Sequence, residues 1–101
     1  MAMTLAAFKQ LTECPSSLPK PLQALWYDRQ GDWDTAHQIV QNAPGADNAW
    51  VHAHLHREEG DLGNARFWYG RSGRSMSQAS LEQEWEQIAG ALLDKVPTPT
   101  A

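Results

Sequence analysis

The chain is predicted to be all-α, built from two helix-turn-helix repeats. Three observations carry this. Ala24–Ala36 (ALWYDRQGDWDTA) and Ala53–Ala65 (AHLHREEGDLGNA) say nearly the same thing 29 residues apart. Apolar residues recur at helical spacing through most of the chain, and no segment alternates with period two. A repeat of this length is one helix-turn-helix unit, and such units stack because none buries its apolar face alone.

The N-terminal segment, 1–19, holds one short helix around 4–12, with Leu5, Phe8 and Leu11 three apart. Pro15, Pro19 and Pro21 stop it. Ser17 is the expected cap of the next helix, with proline near its first turn.

The first repeat reads as a helix over 20–30 with Leu22, Leu25 and Trp26 inward, ended by Gly31. Asp32 caps a second helix over 33–43, whose stripe is Trp33, Ala36, His37 and Val40. The second repeat starts at Asp47, read as the cap of a helix over 48–59, and turns at Gly60. Asp61 then caps a helix over 62–72, with Leu62, Ala65 and Tyr69 on one face. The last helix runs from Ser77 or Ser80 to about 95. Ser80 and Gln83 fit a capping box. Leu81, Trp85, Ile88 and Leu92 form its seam, and Glu82, Glu84 and Glu86 its outer face. It suits the role of terminal cap. Residues 96–101, with two prolines, read as a disordered tail.

Gly-Asp-Trp-Asp-Thr-Ala (31–36) and Gly-Asp-Leu-Gly-Asn-Ala (60–65) resemble the turn of tetratricopeptide (TPR) and Sel1-like repeats. Ala24, Tyr27, Gly31 and Ala36 match that pattern. In the second unit Ala53, Gly60 and Ala65 match, and His56 stands where the aromatic belongs. The resemblance covers roughly 20–73 and implies protein–protein interaction; with the last helix as its cap, the expected TPR-like helical domain spans 20–95. More closely, Trp50–Asp61 with Asn64-Ala65 and Trp68-Tyr69 is similar to a family of small bacterial proteins of unassigned function, which lends no activity.

One hundred and one residues make one domain. A net charge of −4 argues against nucleic acid as a partner. The single cysteine, Cys14, forms no internal disulfide, which fits a reducing compartment. No apolar run suits a membrane span or a signal peptide, so the expected location is cytoplasmic.

The chemistry-bearing residues fall into three groups. His52 and His56 share a helix face at i, i+4, which Glu59 extends, and His37 lies on the stripe of the preceding helix. Two such histidines suit zinc, with His37 or Glu59 as third ligand. Ala53 follows His52, so the glutamate of a His-Glu-x-x-His protease is absent. The plain alternative is that these rings are packing residues, in which case no cofactor is needed. Arg66, Arg71 and Arg74 interleave with Phe67, Trp68 and Tyr69, a pattern suited to phosphate, carboxylate or single strands, or simply to a helix C-terminus. Lastly, Arg29, Trp50, His54 and Arg57 are expected on the face lined by the first helix of each repeat, where two Arg forks and an indole suit a peptide carboxylate.

The expectation is therefore a non-catalytic repeat protein that binds a protein or peptide through its first-helix face. A homodimer is the natural result if any of the five Trp is left uncovered. The alternative is a small-molecule or metal-binding protein, conceivably an enzyme, using the histidine cluster.

Overall fold

Six helices and no strand are present in a computed structural model that describes residues 3–96. They are α1 (Leu5–Lys9), α2 (Lys20–Arg29), α3 (Trp33–Gln41), α4 (Ala46–Glu58), α5 (Leu62–Ser72) and α6 (Leu81–Asp94). The tail expected over 96–101 falls, beyond Val96, outside the described residues.

The two repeats turn the same way. Gly31 and Gly60 sit at φ 84° and 81°, in the left-handed region that L-residues resist. At the first turn Gly31 N–H donates to Asp28 and Asp32 N–H to Tyr27; at the second Gly60 donates to Arg57 and Asp61 to His56. This crossed pair closes the last carbonyls of each helix. The aspartate after each glycine then caps the following helix. Asp32 accepts from Thr35 N–H at 3.1 Å and Asp61 from Asn64 N–H at 3.3 Å.

Small residues let the helices close. Ala24, Ala36, Ala53 and Ala65 have no exposed surface. α2 packs on α3 and α4 on α5, and the two pairs join through α3 and α4. The main core gathers Phe8, Leu22, Leu25, Val40, Val51, Leu55, Trp85, Ile88 and Leu92.

α6 lies against α1, α2 and α4. Its Ser80–Gln83 capping box forms as the sequence indicates. Trp85 anchors it: the indole N–H donates to Leu25 O at 3.0 Å, and the ring stacks on Phe8 at 5.8 Å between centroids. The helix thus covers the face of the two first helices.

Five local expectations are corrected. Ser17 caps nothing; Pro19 stands at the N-cap of α2, and no side chain bonds there. Asp47 lies inside α4, which begins after Gly45, and its carboxylate takes Lys95 at 3.0 Å instead. The helix of the first repeat placed over 33–43 ends earlier, at Gln41. Leu62 and Leu81 are exposed, because each is the first residue of its helix and projects past the packed turn. Glu84 does not lie on an outer face: it is 1 % exposed. The reason is charge and hydrogen bonding, described below.

Candidate metal centre

α4 carries three histidines on two faces. At about 100° per residue, His52 and His56 point one way and His54 roughly opposite. All three are buried.

On the first face, α3 brings His37 to His52 and His56. One ring nitrogen from each lies within 4.8 Å of the others. Nε2 of His52 is 3.1 Å from Nε2 of His37. That is a hydrogen-bond distance; two nitrogens on a tetrahedral zinc, each bonded at about 2.0–2.1 Å, stand about 3.3–3.4 Å apart, so the pair would open by a few tenths of an ångström to hold an ion.

The surroundings hold the rings. Trp33 stacks on His37 at 4.7 Å between centroids, and its indole N–H is fixed on Leu55 O at 2.8 Å. Trp68 stacks on His52 at 4.0 Å. Nδ1 of His56 meets the Glu59 carboxylate at 2.6 Å. A hydrogen bond donated there from Nδ1 would leave Nε2 free for a metal, the arrangement by which outer carboxylates orient metal-binding histidines. Glu59 also falls, with Asp61, within ligand distance of His56.

Burial and neighbouring His56 lower His37, and the same two causes, with His37, lower His52 to about 4. Both rings are neutral at pH 7, the form that binds a metal. Nδ1 of His52 is buried with no hydrogen-bond partner among the described residues. An unmatched buried nitrogen costs about 1–3 kcal/mol, which a packing histidine ordinarily avoids.

On the opposite face a network gathers that no local pattern in the chain announces. Nδ1 of His54 is 2.7 Å from Oε1 of Glu84. Arg57 donates to the same oxygen at 3.0 Å and also to Ala79 O. The Tyr69 hydroxyl donates to the other carboxylate oxygen. Hydrogen bonds from His54, Tyr69 and Arg57 outweigh the burial of Glu84, whose carboxyl is held below its ordinary value. Asp28 and Glu58 approach Nε2 of His54 at 3.7 and 3.8 Å.

The four residues expected on an open first-helix face are accordingly engaged within the chain. His54 and Arg57 bind Glu84 beneath α6. Arg29 pairs with Glu82 at 3.3 Å. Trp50 is half-buried, with the Arg74 guanidinium 3.7 Å from its ring centroid. In the aromatic-basic stretch Tyr69 is core, Phe67 is exposed, and Arg71 lies 5.9 Å from the Trp68 ring.

The residues missed by sequence reasoning are Asp28, Glu58, Tyr69 and Glu84. Glu84 sits three residues after Leu81 and four before Ile88, so helical spacing places it beside the seam; its acidity disguised it.

No family model, curated protein or solved structure matches the chain.

Proposed function

We propose that this chain binds a divalent transition metal, zinc in the first instance, through His37, His52 and His56. One observation carries the reading: three imidazoles from two helices converge within 4.8 Å. The lowered basicity of His37 and His52, the orphaned nitrogen of His52 and the carboxylate behind His56 support it. Three neutral nitrogen donors suit zinc, copper or nickel and leave the ion its full charge and a position for water or another ligand. The duplicated helix pairs serve as the rigid frame, since the ligands sit on regular helices.

Cobalt(II) titration tests this. The expected result is one ion per chain, with the visible absorption of a tetrahedral site, displaced by zinc and lost in the His52→Ala/His56→Ala variant. Absence of saturable uptake, or uptake indifferent to that double change in a folded protein, overturns the reading.

A further inference from the structure

The other face of α4 borders a cleft of about 410 Å³. Asp28, Glu58 and Glu82 supply carboxylates to its lining, His54 an imidazole and Trp85 an indole. The volume falls in the range of small-molecule sites. The cleft rests on none of the residues assigned to the metal.

Among the described residues no lysine or arginine pairs with its buried Asp28 or with Glu58. The Asp28 side chain is 5 % exposed, and Nε2 of His54 stands 3.7 Å from it, outside hydrogen-bond reach. Oε1 of Glu58 is buried with no partner among the described residues. The charged and titratable groups around Glu58 are Asp28 from α2, Glu84 from α6, and His54 and Arg57 from its own helix. Arg29 and Glu82 stand at the rim.

Arg29 shows what the cleft attracts. Its guanidinium carbon lies 4.9 Å from the Trp85 ring centroid, and it pairs with Glu82 through an exposed contact. An arginine over an indole is a favourable cation site, while a solvated ion pair holds it only weakly.

We propose that this cleft binds an organic cation, a guanidinium or primary ammonium group on a short aliphatic chain. The N–H donors engage the Asp28 and Glu58 carboxylates. The charge sits over Trp85, where Arg29 now lies, and Arg29 swings out. No covalent bond changes.

The test is calorimetric titration of the full chain with agmatine and with butylamine, in EDTA, at neutral pH. The expected result is saturable 1:1 binding. Arg29→Ala is expected to tighten it several-fold. Asp28→Asn is expected to weaken it about tenfold or more, as loss of a charge-assisted contact does. Three results overturn the proposal: no saturable binding of either probe to folded protein, weaker binding in Arg29→Ala, or, in a parallel titration without EDTA, Mn²⁺ binding that displaces agmatine and requires His54. EDTA in the amine titrations and the separate residues keep failure here distinct from failure of the metal reading.

Discussion

Glu84 reaches from α6 to place its Oε1 2.7 Å from Nδ1 of His54, with each side chain almost wholly removed from water. The same carboxylate takes Arg57 and Tyr69. It ties α6 to α4 and α5 by charge beside the apolar seam. Removing it strands a buried imidazole and a half-buried guanidinium. Glu84→Ala is expected to cost about 3–5 kcal/mol, the range for breaking a buried pair from one side. Glu84→Leu, which fills the space and leaves the cations unmatched, is expected to fail similarly. Urea unfolding with a fixed m-value checks both.

Acid stability follows from the first histidine face. His52 is lowered from 6.5 to about 4, and His37 is lowered too. The unfolded chain therefore binds more protons than the native one as pH falls below 6.5. Stability contributed by the neutral rings is present above that pH and is lost as pH drops toward 4. The slope is at most about 1.4 kcal/mol per pH unit for each group. His52→Gln in chelator is expected to flatten this acid limb, measured as Tm against pH.

Glu58 has the opposite sign. Its carboxyl is raised from 4.5 to about 9, so the native state holds a proton that the unfolded state releases. Stability from this group is full below pH 4.5 and declines as pH rises toward 9. Glu58→Gln is expected to flatten the alkaline limb and to raise Tm at pH 8. An unchanged profile would show that Glu58 is ionised in the fold.

In the proposed centre Glu59 touches His56 rather than the ion. Glu59→Gln is expected to weaken cobalt binding by about 10–100-fold while leaving one site per chain, the usual effect of losing an outer carboxylate. Loss of stoichiometry instead would make Glu59 a direct ligand.

The matched turns predict matched costs. Asp32→Ala and Asp61→Ala each remove a bond to a helix N-terminus and are expected to cost about 1 kcal/mol. Gly60→Ala keeps open space around its Cβ but forces alanine to φ 81°, at about 1–2 kcal/mol. Thermal melts measure all three.

The scaffold was legible because its signals are local. Gly31, Gly60, Asp32, Asp61 and the Ser80–Gln83 box act within a few residues of themselves. Ala36 and Ala65 declared close packing by their size. The histidine pair on α4 was legible from i, i+4 spacing, and His37 as a possible third from the stripe of its helix. What brings His37 home is the packing of α3 on α4. The buried network was not legible. His54, Arg57 and Tyr69 lie 30, 27 and 15 residues from Glu84. On a helix rich in glutamate, nothing local marks the one that turns inward. Asp47 misled for a related reason: an aspartate before an apolar run suits a cap, but Lys95 at the far end of the chain claims it.

The stacking of Trp33 on His37 and of Trp68 on His52 makes two indoles optical witnesses to their imidazoles. Protonating a ring, or drawing its electrons toward an ion, alters the emission of the indole lying on it. The molecule thus reports the state of this centre by its own fluorescence, with no label attached.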